Sequence, residues 1–186
     1  MTLAEALSYL ESLTNYERAH APDAMRAVRL DRMQALCERL GHPQRHVRSI
    51  LVTGTNGKGS ICAMLFGILR QAGLRVGLYT SPHLTDVRER IRVSVPRASG
   101  TAGSLEADDR ISPREFAAAI GQVRTAMQDH SQSFPGGPVT CFEALTAAAW
   151  LHFRRQHVEV AVVEVGLGGR LDATNVAEQA VSVFGP

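Results

Sequence analysis

Aromatic side chains are scarce in this sequence, at 5% of 186 residues, and cysteine occurs only three times. Cys37, Cys62 and Cys141 are far apart, odd in number and in no CxxC pairing. That argues against a disulfide framework or a structural zinc site and fits a reducing, cytoplasmic setting. Long apolar runs are missing too: none approaches the roughly 20 residues that a membrane span needs. Nor is there an excess of one charge. The formal net charge is +2, and acidic and basic residues interleave, as in Glu17-Arg18, Asp31-Arg32, Glu38-Arg39 and Arg88-Glu89-Arg90. This is the pattern of a solvated surface and gives no basis for a nucleic acid or an anionic membrane as partner. The N-terminal MTLAEALSYLESL carries two glutamates within its apolar pattern, so it reads as an amphipathic helix and not as a signal peptide.

What is present is an ordinary globular composition, 45% hydrophobic and 20% charged, in a chain long enough for a single domain over 1–186. Leu3, Leu7, Leu10 and Leu13 recur at helical spacing and predict a helix over 3–13. A polar stretch follows over 14–27, with Asn15, His20 and Pro22. A second helix carries Leu30, Met33, Leu36 and Leu40 and stops at Gly41. SILVT (49–53) reads as a buried strand that runs into the glycine-rich GTNGKGS, and a helix over 59–71 follows. RVGLYT (75–80) is a second strand with SPHL at its carboxyl end, and RIRVSV (90–95) is a short third one. Residues 96–109 read as an exposed loop. Ser112, Pro113 and Glu115 have the spacing of a helix start. A helix over 141–156, the apolar strand VEVAVVEV (158–165), the loop GLGGRLDATN and a last buried-type strand at 180–184 complete the chain. Strand, glycine loop, helix and strand in succession make a βαβ unit. The expected fold is therefore α/β, a mostly parallel sheet flanked by helices.

The loop Gly54-Thr55-Asn56-Gly57-Lys58-Gly59-Ser60 lies where a triphosphate-binding loop belongs. Glycines let backbone N–H groups approach phosphate oxygens, the helix N-terminus adds its dipole, and Lys58 offers a mobile ammonium. The spacing departs from GxxxxGK[ST]: Val52 stands at the first glycine position and Gly59 where Ser or Thr belongs. That disfavours an ordinary kinase or GTPase.

The spelling GTNGKGS resembles the phosphate loop of the Mur ligase superfamily, in the branch of folylpolyglutamate and dihydrofolate synthases. LTNYERA, LDRMQALCERLG, YTSPHLTDVRERI, TCFEALTAAA and VEVGLGGRLDATN resemble segments of the same family in the same order. The resemblance implies an ADP-forming ligase that uses ATP and Mg²⁺ to add L-glutamate to a folate through an acyl phosphate. By the same resemblance Gly54, Thr55, Asn56, Gly57, Lys58, Gly59 and Ser60 bind ATP, Ser81 and Glu143 ligate the metal, and Lys58 and Glu143 are catalytic. Asp172, Thr174 and Asn175 form a loop near the substrate. The implied partners are small molecules (folate, L-glutamate and ATP), with no nucleic acid and no membrane, and a monomer at full length.

Plainer structural readings stand beside these. Ser81 next to Pro82 can cap a turn, Glu143 opens a helix whose dipole favours a carboxylate, and Asp172 and Asn175 can shape a turn. His83 and Glu164 are left unassigned. MRAV (25–28) departs from the form associated with dihydropteroate binding. The family's pattern also continues past the last strand, into an aspartate–histidine pair and a C-terminal domain. The expectation is therefore of a truncated N-terminal ATP-binding part, weakly nucleotide-binding and inactive alone. Another Mur-type amide ligase and a non-catalytic nucleotide-binding protein remain as alternatives.

Overall fold

A computed structural model describes residues 1–19, 28–94, 109–128 and 133–186. Residues 96–108 of the expected loop over 96–109, His20, Pro22, most of MRAV and Val95 lie outside the described residues. Helix α1 (Leu3–Glu11) starts in a reciprocal cap in which Thr2 Oγ1 accepts from the Glu5 amide and Glu5 accepts from the Thr2 amide. It ends two residues earlier than the leucine spacing suggests. A short helix α2 (Tyr16–Ala19) occupies part of the segment read as a polar connection. Helix α3 (Leu30–Arg39) buries Met33, Leu36 and Cys37 and stops before Gly41, whose φ is 72°.

The sheet has the order β3-β2-β4-β1-β5. Strand β1 (Arg48–Thr53) lies parallel to β4 (Val160–Glu164) and β5 (Gln179–Phe184), and β2 (Val76–Tyr79) is parallel to β4. Strand β3 (Ile91–Val93) runs antiparallel to β2. The expected mostly parallel α/β fold is what forms. Successive strand residues point to opposite faces. Leu51, Tyr79, Ala161 and Val163 join the large core under α3, α5 (Pro113–Gln128) and α6 (Cys141–Arg155), while Val52, Leu78 and Val162 meet Cys62 and Phe66 of α4 (Lys58–Gln71). Helices thus cover both faces.

Helix α6 is buried along most of its length. Trp150 and Phe153 stack edge to face at 5.9 Å in the main core. Helix α5 begins at the expected place, with the Glu115 amide donating to Ser112 Oγ. One expectation is corrected. β5, read as a buried-type strand, is a sheet edge with Val181 50% and Phe184 80% exposed. Its apolar alternation fits a pleated surface, but among the described residues only β1 pairs with it. Among the described residues no helix is long and apolar enough to cross a membrane.

Candidate functional site

Strand β1 ends at Thr53, and the glycine loop carries the chain into α4. Gly57 turns it with a φ of 73°, a left-handed conformation that glycine reaches without a Cβ penalty, and no side chain caps the helix. The first amides of a helix have no partner within it. Those of Lys58, Gly59 and Ser60 therefore face the loop with the positive end of the helix dipole behind them. Lys58 Nζ folds back onto the Gly54 carbonyl at 3.0 Å. The Thr55 and Asn56 amides donate to the Pro186 carbonyl at 3.1 and 2.9 Å. The anion-ready part is the Gly57–Ser60 turn.

Because β2 and β4 are parallel neighbours, their carboxyl ends lie side by side next to this turn. Ser81 follows β2, and Glu164 is the last residue of β4. The Ser81 amide donates to Glu164 Oε2 over 3.0 Å. The other oxygen, Oε1, lies 3.8 Å from where a Cβ on Gly59 would sit. Glu164 is 5% exposed. Burial pushes its carboxyl up from the usual range, against the opposing pull of the Ser81 amide, Lys58 and Arg90. A buried carboxylate beside such a turn would repel any phosphate held there unless a cation lay between them. A carboxylate and a hydroxyl are the hard oxygen donors that Mg²⁺ takes while keeping several waters. Among the described residues no group of three or more His, Cys, Asp or Glu could hold a metal by itself.

Glu143, expected as a metal ligand with Ser81, is engaged by α3 and by the start of its own helix. Both of its oxygens accept from Arg32 Nε at 2.8 Å, and Oε2 also takes the Thr140 amide and hydroxyl at 2.8 Å. Glu143 and Arg32 are both buried, so the carboxylate neutralises a core guanidinium and closes the α6 cap. None of these contacts reaches the glycine turn. In the GLGGRLDATN loop, Asp172 accepts from the Leu167 and Thr174 amides and the Thr174 hydroxyl, at 2.7, 2.9 and 2.6 Å. Asn175 bonds the Arg170 carbonyl and Gln179. These side chains shape their own turn. It crosses Phe142 so closely that a Cβ on Gly166 would lie 2.6 Å from that ring.

Glu164 is the residue that the sequence reading passed over. Its signal was a lone carboxylate ending an otherwise apolar strand, where open parallel sheets place their ligands. His83, also left aside, accepts at Nδ1 from Arg90 Nε at 2.9 Å.

A glycine turn opening a helix at the carboxyl edge of a parallel sheet, with an acid and a serine beside it, defines an α/β domain of the phosphate-binding class. No model of a protein family matches the chain. It is 40% identical over 157 residues to a dihydrofolate synthase/folylpolyglutamate synthase of Bacillus subtilis, which covers 83% of this chain and 33% of that protein. Among solved structures, an FPGS–AMPPCP–folate complex matches with a TM-score of 0.78 at 36% identity, covering 99% of this chain and 40% of the other. A bifunctional folylpolyglutamate synthase/dihydrofolate synthase with Mn, AMPPNP and L-glutamate bound matches at 0.75 and 34% identity, over 99% of this chain and 38% of the other. The chain belongs to the folylpolyglutamate synthase/dihydrofolate synthase family, and spans 33% of the length of its Bacillus relative.

Proposed function

We propose that this chain, over 1–186, forms the ATP-binding part of a ligase that joins L-glutamate to a folate. The observation that carries the reading is Glu164, held against the Ser81 amide and next to the Gly59 turn. Relatives that bind AMPPCP with folate, or Mn with AMPPNP and L-glutamate, support it. In this reading the substrate carboxylate attacks the terminal phosphorus of ATP, giving an acyl phosphate and ADP. The glutamate amine then attacks the acyl carbon, and amide formation expels phosphate.

The amides of Gly57 to Ser60 and the α4 dipole hold the phosphates, and Lys58 swings from the Gly54 carbonyl to the outer oxygens, where charge develops. Ser81 and Glu164 would hold Mg²⁺, which supplies charge neutralisation between two anions when bound. Thr55 and Asn56 support the turn through their backbone bonds. Glu143 maintains the α6 start, and Asp172, Thr174 and Asn175 maintain the loop above it. We further infer a cytoplasmic protein acting on small molecules alone, monomeric as a full-length enzyme; its buried cysteines support that setting.

The test is a titration with AMPPCP and Mg²⁺, followed by a reduced folate and, separately, by cell-wall amino-acid precursors. Saturable folate binding that needs the nucleotide supports the reading. Nucleotide binding with a preference for the other precursors contradicts the folate assignment.

A further inference from the structure

The turn that carries Ser81 is tied together from within by residues that belong to neither the phosphate turn nor the acid beside it. The segment 80–90 leaves β2 and returns as β3. At its base the Thr80 amide donates to the Arg90 carbonyl at 3.1 Å, next to the Tyr79–Ile91 pair of the ladder. Between those ends there is no strand ladder, and one carboxylate takes the amides of three successive residues. Glu89 accepts from the Leu84 amide at 2.8 Å, the Thr85 amide at 3.2 Å, the Thr85 hydroxyl at 2.6 Å and the Asp86 amide at 2.9 Å. The next residue adds a second tie. The buried Arg90 donates from Nε to His83 Nδ1 at 2.9 Å, and its two terminal nitrogens grip Glu17 at 3.1 and 2.8 Å. Asp86 caps the short turn Val87–Arg90 that places both residues.

We propose that Glu89 is a positioning residue for the cation site. By gathering the donors of Leu84, Thr85 and Asp86 it fixes the turn that presents Ser81 to the metal shared with Glu164, and Arg90 through His83 locks the same turn from its buried side. The inference rests on the reading of Ser81 and Glu164 as the cation holders. Groups that orient metal ligands from outside typically change metal affinity by roughly ten- to hundredfold when replaced. The four bonds also hold the Glu89 carboxyl down to about 2, the Thr85 hydroxyl contributing most. The tie therefore stays charged throughout the neutral range.

The experiment uses the whole chain with AMPPCP and Mn²⁺ as probes, reading the unbound Mn²⁺ signal by electron paramagnetic resonance. Glu89→Gln keeps the size of the side chain but replaces one acceptor oxygen with a donor. The expected result is a roughly tenfold or greater loss of Mn²⁺ affinity in the presence of AMPPCP, with metal-free AMPPCP affinity unchanged. Thr85→Val, which removes one donor, shows the same split at smaller size and serves if Glu89→Gln does not fold. Unchanged Mn²⁺ affinity in the folded variant overturns the proposal. So does an equal loss of metal-free nucleotide binding, which marks a merely structural role. Ser81→Ala and Glu164→Gln are run alongside. If neither moves Mn²⁺ affinity, the underlying metal reading fails; if both do and Glu89→Gln does not, only the positioning role fails.

Discussion

The Ser81 amide and Glu164 Oε2 are joined across 3.0 Å although the residues are 83 apart in sequence. The bond exists because β2 and β4 are neighbouring parallel strands that end at the same level. It brings a hydroxyl-bearing turn and a buried acid to the mouth of the glycine loop.

Lys58 is the only basic residue of the glycine loop, and its ammonium donates to the Gly54 carbonyl at 3.0 Å. Charge-assisted hydrogen bonds contribute about 1.5–3 kcal/mol, so Lys58→Ala should weaken ATP-analogue binding by roughly tenfold or more. Fluorescence titration with a labelled nucleotide reads this directly. Equal affinity in the two proteins removes the loop from the nucleotide site.

Glu143 should behave as a core residue. Removing one partner of a buried ion pair costs about 3–5 kcal/mol because the other charge is stranded. Glu143→Ala takes the carboxylate away from the buried Arg32 guanidinium and should lower the urea midpoint. A variant of undiminished stability would show that the pair is not the reason for this glutamate.

His152 gives the domain an acid-sensitive core. Burial lowers its pKa from 6.5 to about 4, partly opposed by Glu115 and reinforced by Arg155. The folded value lies below the unfolded one, so the stabilisation is present above 6.5 and is lost as pH falls toward 4. The size is of order 1–3 kcal/mol. His152→Gln should flatten the stability profile between those limits in denaturation series at fixed pH steps; an unaltered slope assigns the acid sensitivity to other groups.

Glu164 should show the opposite sign. Its folded pKa is raised above 4.5 by burial, so its ionisation costs stability as pH rises through the folded value. Without metal, Glu164→Gln is expected to be as stable as the parent at neutral pH, or more stable. Metal binding to the parent should weaken on acidification through that raised value, because the proton competes for the same oxygens. A large drop in the metal-free melting temperature of Glu164→Gln contradicts both statements.

Much of this was legible in the residues. The order strand, glycine loop, helix and strand predicted a parallel sheet, and Ser112-Pro113 with Glu115 marked the start of α5. The setting of Glu143 was hidden for a definite reason. Thr140 and Glu143 have the spacing of a reciprocal helix cap, and the deciding partner, Arg32, is 111 residues away. No local pattern reveals such a pair. Glu164 was visible as a charge on an apolar strand, but its meaning depended on which strand lies beside β4. The exposure of β5 was hidden for a related reason. Alternating apolar residues state what a strand could bury, whereas the sheet order decides what lies against it.

The most direct test of the central claim is the Mg²⁺ dependence of AMPPCP binding in two isosteric variants, Glu164→Gln and Glu143→Gln, each measured per folded molecule. The account predicts that Glu164→Gln abolishes most of the gain in affinity that Mg²⁺ provides, and that Glu143→Gln retains it. If the first keeps the full gain while the second loses it, the cation is held where the sequence first suggested, and the site described at Ser81 and Glu164 is wrong.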